Sequence, residues 1–332
     1  MSKITYLAKR IKNMSYKGLF EAVKKVHEIN GKSKIFIFFD IVFCGLKYQA
    51  GYTDYTLFEM YRMNKKERAT IITRGINNSF IKRFNDPEAR YIFHDKILFN
   101  RKFEDYIHRD WMELKTDNFG SFVEFTKKHP EFVAKPVGLQ CGKGIEVIDT
   151  QGKDLKEIYR SLLENRQFLL EERVVQCKEL SAIHPDSINT LRVVTLNKKV
   201  VVAFLRMGDK HYHVDNFNHE GLAAPIDIND GIIKYKAINK KSELYDKHPL
   251  TGTPIVGLQI PHWKEVVEMC EEAAKVEPLI GYVGWDVCVM EDGLCFIEAN
   301  EFPGHDIYQL PPHREGNWGL LPTFLKAAGD IK

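Results

Sequence analysis

Apolar residues change their period roughly a third of the way along the chain. From the start to about residue 93 they recur every three to four positions: Ile4, Leu7, Ala8 and Ile11, then Leu19, Phe20, Val23 and Val26. That is the spacing of one helix face, so a mostly helical N-terminal region is predicted, with one short strand over 69–73. The most hydrophobic run, residues 35–46, is a dozen residues long and contains Asp40. A membrane span needs about 20 apolar residues, so a buried element is expected there instead.

Farther on the pattern shifts toward alternation. Asp117 or Asn118 is placed to cap a helix running to 128. Strands are predicted at 132–135, ending at Pro136, and at 144–148. A helix over 154–165 and a buried strand over 168–172 follow. The C-terminal half is strand-rich: 190–196 and 200–207 flank Asn197–Lys198–Lys199 as a hairpin, and 232–237 is another strand. A helix over 263–276 places Val266, Val267, Cys270, Ala273 and Ala274 on one face. Strands 283–290 and 294–300 close the pattern around Glu291, Asp292 and Gly293. Helices and strands in blocks predict α+β lobes around a cleft and not a doubly wound sheet.

Composition narrows the class without changing the picture. The chain has 332 residues, 44% hydrophobic and 28% charged, which suits a globular protein of two or three lobes. A net charge of +3 is too small to imply a nucleic-acid partner. The charge is uneven, however: residues 1–34 hold nine Lys/Arg against Glu21 and Glu28. A basic amphipathic segment can lie on an anionic membrane surface, but a helical pair packed on its own domain with a solvated lysine face is the favoured reading. Six cysteines form no CxxC pair and no metal-ligand spacing, as expected of reduced thiols in the cytosol. A cytoplasmic protein is expected, with peripheral contact at the inner membrane face through the basic N-terminus as the less favoured alternative.

Four segments carry candidate chemistry. Lys135-Pro-Val-Gly-Leu-Gln-Cys-Gly142-Lys143-Gly144 ends a strand with a lysine and continues into a glycine-rich hairpin, where backbone N–H groups and lysines suit phosphate oxygens. It is not a Walker A loop, because no helix-opening Gly-Lys-Ser/Thr is present. Leu169-Leu170-Glu171-Glu172-Arg173-Val174-Val175, with Glu179 beyond, leaves carboxylates at the end of an apolar strand, either as acceptors for adenine and ribose or as a strand running into a charged loop. Arg192 and Arg206 lie inside apolar strand-like runs and need anionic partners. Gly284-Trp285-Asp286 and Ile297-Glu298-Ala299-Asn300 put Glu298 and Asn300 on one strand face. A three-residue loop of Glu291, Asp292 and Gly293 would set Asp286 opposite Glu298, whereas a two-residue Asp–Gly loop would send it to the other face. The first register gathers an all-oxygen set of the kind Mg²⁺ prefers. His211 and His213 alternate and could share a face, but lack the further ligands of a zinc site.

Taken in order, these segments resemble the ATP-grasp superfamily, and more closely its sugar-transfer-associated branch linked to surface polysaccharides. The likeness runs from about residue 54 to 309 and rests on Asp95-Lys96, Phe-Val-Ala-Lys135-Pro, Leu-Leu-Glu-Glu172, Ser187-Ile-Asn-Thr-Leu-Arg192, Val214-Asp-Asn216-Phe, His248-Pro-Leu-Thr-Gly252, Gly284-Trp-Asp286 and Ile-Glu298-Ala-Asn300. It implies an ATP-grasp fold of two α+β lobes clamping ATP. The divisions would be a helical region over 1–94, a phosphate-binding lobe over 95–170 and a C-terminal lobe over 171–332. Lys96 and Lys135 would hold ATP phosphates, with Gly142, Lys143 and Gly144 as the loop closing over them. Glu172 and the Val175 backbone would read adenine, and Glu179 the ribose. Asp286, Glu298 and Asn300 would ligate Mg²⁺. Arg192, Arg206 and Lys143 would act on the transferred phosphoryl group or acyl-phosphate. Where the family usually has Gly-Gly after the Asp-Asn-Phe motif, this chain has His219-Glu220-Gly221, which puts the acceptor-side geometry in doubt. The implied activity joins a small-molecule or sugar-linked carboxylate to an amine. The alternatives are a kinase acting on a sugar hydroxyl and a silent nucleotide-binding module of a polysaccharide assembly complex.

Overall fold

The computed structural model describes residues 15–138, 144–209 and 221–331. The chain divides into two compact units, Met1–Phe80 with Gly304–Lys332, and Ile81–Pro303.

The first unit is helical. Helix α1 (Tyr16–Asn30) starts where the Ser15 hydroxyl accepts from the Gly18 amide at 3.1 Å, and stops at Gly31, whose φ of 70° is left-handed. Helix α2 (Lys34–Tyr48) lies against it: Leu19, Val23 and Val26 of α1 and Ile37, Ile41, Cys44 and Tyr48 of α2 share one buried cluster. Phe20 is exposed and stands off this face. The apolar run 35–46 is also not the fully buried element its composition predicts. Ile35, Phe36, Phe39, Phe43 and Leu46 face outward, because α2 is apolar on every side while its neighbours cover only one.

Asp40, the acid inside that run, faces inward. Its carboxylate accepts from Arg68 at 2.6 and 2.7 Å and from the Tyr55 hydroxyl at 2.6 Å. Burial works to raise its pKa, but the Arg68 and Tyr55 hydrogen bonds hold it below the usual carboxylate value. The strand expected at 69–73 does not form. Ile71 and Ile72 are buried, yet among the described residues no strand runs beside them. The Gln309 side chain takes a strand's place, its Oε1 accepting from the Ile72 amide at 3.2 Å and its Nε2 donating to the Ile72 carbonyl at 2.7 Å.

The second unit holds two antiparallel sheets. The smaller has the order β1–β4–β2–β3, from β1 (Trp111–Glu113), β2 (Glu131–Lys135), β3 (Glu146–Asp149) and β4 (Leu169–Glu172). Helices α3 (Phe119–Lys128) and α4 (Leu155–Glu164) cover one of its faces through Phe122, Phe132, Ala134, Tyr159, Leu162 and Leu170. The larger sheet contains β5 (Leu191–Leu196), β6 (Lys199–Met207), β7 (Leu222–Ile226), β8 (Ala237–Ile238), β9 (Leu244–Tyr245), β10 (Tyr282–Met290) and β11 (Gly293–Asn300), in the order β11–β10–β5–β6–β7–β8–β9. Helix α5 (Trp263–Ala273) and the aromatic residues Phe93, Phe99 and Phe103 share a core with the odd-numbered positions Leu191, Val193, Leu205, Trp285 and Val287. Trp285 stacks on Phe296 with ring centroids 4.8 Å apart. The strand expected at 232–237 shrinks to isolated bridges at Ile232 and Ile233 followed by β8. Gly231 turns the chain ahead of it at φ 76°, and a Cβ there would meet the Trp263 ring at 2.3 Å.

Two hairpins set the register of the large sheet. Asn197 and Lys198, with φ 50° and 67°, form the two-residue turn between β5 and β6. Between β10 and β11 the turn is also two residues, Glu291 and Asp292, because Gly293 pairs with Met290. This corrects the three-residue loop inferred from Gly293. Continued regularly, that shorter turn would place Asp286 opposite Ile297. A bulge between Asp286 and Val287 shifts the ladder, so that Val287 pairs with Phe296 and Asp286 with Glu298. The expected carboxylate pair is present, brought about by a bulge and not by the turn.

Candidate functional site

The uncovered chemistry of the large sheet follows from strand alternation. With Leu191, Val193, Leu205, Trp285 and Val287 turned toward the helix-covered core, Arg192, Arg206 and Asp286 project from the opposite face. Asp286 lies beside Arg192 on β5 and Glu298 on β11. Its carboxylate accepts from Arg192 Nε at 2.5 Å and Nη2 at 2.9 Å, and from Arg206 Nη1 at 3.1 Å. Burial works to raise the Asp286 pKa, but the two guanidiniums hold it below the usual value. Glu298 is displaced the other way: burial and then the adjacent Asp286 charge push its pKa up. Asn300 follows on the same face of β11, opposite Gly284, and its Oδ1 accepts from the Phe302 amide at 2.8 Å.

A second group of charges meets the first. Lys135, at the end of β2, pairs with the buried Glu171 on β4, whose other oxygen accepts from Asn100 at 2.9 Å and from Arg109 at 2.6 Å. Burial alone would raise the Glu171 pKa, yet Arg109 and Lys135 drive it far below the usual carboxylate range. Lys96 follows Asp95, whose carboxylate caps the helix Lys96–Lys102 by accepting from the Ile97 and Leu98 amides at 2.9 and 3.0 Å. Burial pushes the Lys96 pKa down, and Glu298, Lys135 and Glu171 all act on it. Lys135 and Lys96 also act on Glu298. Lys96, Lys135, Arg192, Arg206, Asp286 and Glu298 therefore form one electrostatic neighbourhood. Its donors are oxygens, and its paired carboxylates carry an unfavourable mutual charge that a hard divalent cation would relieve. The donor set Asp286, Glu298 and Asn300 fits Mg²⁺ on that ground.

The remaining expected residues lie elsewhere. Glu172 points away from Lys135, since Val133 pairs with Glu171 while Phe132 pairs with Glu172 on the helix-covered side. Its carboxylate accepts from the Asp110 amide at 3.0 Å, near His129. Glu172 and the exposed Val175 line a cleft of about 320 Å³ with His108, Arg109, Met290 and Asp292. Arg109 thus links this cleft to Glu171. Glu179 is exposed on the short helix Lys178–Ser181. Gly144 is held by Gln167, which donates to its carbonyl at 3.0 Å. Gly142 and Lys143 fall outside the described residues, as do His211, His213, Val214, Asn216, His219 and Glu220.

Sequence reasoning missed Glu171, Arg109 and Asn100. The alternating pattern of β4 does separate Glu171 from Glu172, but which of them shares a face with Lys135 depends on pairing between β2 and β4, and those strands are more than thirty residues apart. His248, by contrast, belonged to a quoted motif and is buried, bonded through Nε2 to the Gly208 carbonyl at 2.8 Å.

The sequence matches the model of the family described as sugar-transfer-associated ATP-grasp over residues 75–321. Among solved structures it is similar to the ATP-grasp ligase PsnB complexed with its minimal precursor, at 14% identity and a TM-score of 0.44, covering 74% of this chain and 62% of that one. It is also similar to the D-alanine–D-alanine ligase of Bacillus anthracis (15% identity, TM-score 0.43, 72% of this chain and 68% of that one). A third is the N5-carboxyaminoimidazole synthetase of Staphylococcus aureus complexed with ADP (13%, 0.44, 69% and 52%). The chain thus spans less than two thirds of the length of the PsnB chain it matches. No curated protein matches the sequence.

Proposed function

Because the chain belongs to the sugar-transfer-associated ATP-grasp family, we propose that it is a Mg-ATP-dependent ligase that activates a carboxylate as an acyl-phosphate for attack by an amine, in surface polysaccharide or sugar-conjugate biosynthesis. The observation that carries this reading is the pairing of the buried Asp286 with the half-buried Glu298 on a sheet face that also bears Arg192 and Arg206.

In the first step a carboxylate oxygen of the substrate attacks the γ-phosphorus of ATP, the bond to the β-phosphate oxygen breaks, and ADP leaves. In the second, the amine attacks the acyl carbon, loses a proton, and inorganic phosphate departs. Little covalent chemistry falls to the protein, so its share is positioning and charge neutralisation. Lys96 and Lys135 hold phosphate oxygens. Arg192 and Arg206, already directed at Asp286, hold the transferred phosphoryl group and the acyl-phosphate. Asp286, Glu298 and Asn300 would hold Mg²⁺, which supplies neutralisation of phosphate charge when bound. Glu172 and the Val175 backbone border the cleft proposed for adenine, with Glu179 on the ribose. Gly142, Lys143 and Gly144 close over the phosphates.

The test is turnover of Mg-ATP with hydroxylamine and a panel of uronic acids and amino acids. ADP release that depends on an acid and yields a hydroxamate is the expected result, and it names the acid. Acid-independent ADP release with a phosphorylated sugar would replace the ligase with a kinase.

A further inference from the structure

Helix α2 is apolar around its whole circumference, and the fold uses one side. Ile37, Ile41, Cys44 and Tyr48 face the core of the helical unit. Ile35, Phe36, Phe39, Val42, Phe43 and Leu46 occupy the opposite side, with Ile35 at 71% and Phe39 at 64% exposure. These six recur at the spacing of a single helical stripe, and no charged residue lies among them. The acid of the helix, Asp40, is turned inward to Arg68 and Tyr55. The stripe extends onto α1, where the exposed Phe20 stacks on Phe38 at 6.5 Å and Phe38 meets Phe39 edge-on at 5.5 Å. Solitary exposed apolar residues are ordinary, whereas a continuous aromatic and aliphatic band marks an interaction surface.

The charges around the band identify what it meets. Lys32 lies over the Phe36 ring at 5.5 Å and Lys47 over the Phe43 ring at 5.6 Å, so an ammonium stands at each end of the stripe. Lys34 opens α2, and Lys17, Lys24 and Lys25 lie on exposed positions of α1, the first two within 4.0 Å of Glu21 and Glu28. The sequence of residues 1–14, outside the described residues, holds Lys3, Lys9, Arg10 and Lys12 and no acid. An apolar band rimmed by lysines complements a bilayer that is apolar inside and anionic at its headgroups. At 15 residues α2 is roughly 22 Å long, shorter than the hydrocarbon core, and no described helix is long and apolar enough to cross a membrane.

We propose that the outward face of α2, with Phe20 of α1, docks on the surface of an anionic lipid bilayer, the helix lying in the plane of the headgroup boundary with its lysines among the phosphates. This surface does not depend on the ligase reading, and its readout is vesicle binding, not turnover.

The experiment is flotation of the full chain with vesicles of phosphatidylcholine alone or mixed with phosphatidylglycerol. Binding to the mixed vesicles is expected, reduced at least about tenfold in I35S/F39S/F43S and in K32E/K34E, while circular dichroism and the urea midpoint of both variants stay close to the parent. Three results would overturn the proposal. One is undiminished binding by I35S/F39S/F43S, which assigns membrane contact to residues 1–14 alone. Another is no vesicle binding by a parent dimer that I35S/F39S/F43S converts to monomer, which assigns the face to a second copy. The last is binding that begins only on deletion of residues 1–14, which makes that segment the occupant of the face.

Discussion

In the helical unit Asp40 takes two hydrogen bonds from Arg68 and one from Tyr55, and Arg68 spends its Nε on the Met60 carbonyl. In the sheet unit Asp286 takes hydrogen bonds from Arg192 and Arg206 and still sits opposite Glu298, while Lys96 and Lys135 act on the same ground. Each aspartate lies beside arginine, Asp286 buried and Asp40 half-buried. The first arrangement closes on itself, one anion against one cation with a hydroxyl completing the shell. The second sets two carboxylates against each other, and burial together with the Asp286 charge raises the pKa of Glu298. Removing one partner from a pair that satisfies itself leaves an uncompensated charge, so such a pair matters to the fold chiefly when it is broken. One that holds like charges side by side is suited to a ligand that relieves them.

The comparison breaks most sharply at Glu298. Glu298→Gln should lower ATP turnover by about 10²-fold or more, the scale for losing one preorganised electrostatic group. The urea midpoint should hold or rise, because the native environment already disfavours the Glu298 charge. A variant that lost stability and kept turnover would make Glu298 a structural residue. Arg68→Met should do the reverse. Leaving the half-buried Asp40 carboxylate without its cation should cost about 1–3 kcal/mol, read by urea denaturation, while turnover per folded molecule is retained.

A finer contrast lies between two neighbouring acids. Glu171→Gln removes the charge that faces Arg109 and Lys135, and should cost about 3 kcal/mol and weaken ATP binding. Glu172→Gln should cost under about 1 kcal/mol. Equal stability losses from the two changes would overturn the assignment of faces on β4. The smallest effect is a slope with pH. Asp40 and Glu171 have folded pKa values below their unfolded ones, so the stability they contribute is present above about pH 4 and is lost as pH falls through the folded values. Urea midpoints taken from pH 7 downward should fall, and Asp40→Asn should flatten part of that fall.

Much of this molecule was readable along the chain. The helix start at Asn118, the cap at Asp154, the turn at Asn197 and Lys198, and the strands carrying Lys135, Arg192, Arg206 and Asp286 lie where local periodicity and turn chemistry place them. The sharing of one face by Glu298 and Asn300 needed nothing more than strand alternation. Those features are local, decided by residues a few positions apart.

What the tertiary structure decided depends on partners distant in sequence. The bulge that returns Asp286 to Glu298 compensates a turn one residue shorter than the glycine suggests, and no local signal counts both. Glu171 rather than Glu172 joins Lys135 because β2 and β4 pair in one register. Ile71 and Ile72 need no strand because Gln309 satisfies Ile72 from more than two hundred residues away. The half of α2 left uncovered was likewise invisible in a run that reads as uniformly apolar. Hydrophobicity says that a surface gains by leaving water, and only the packed neighbours decide which side of it does.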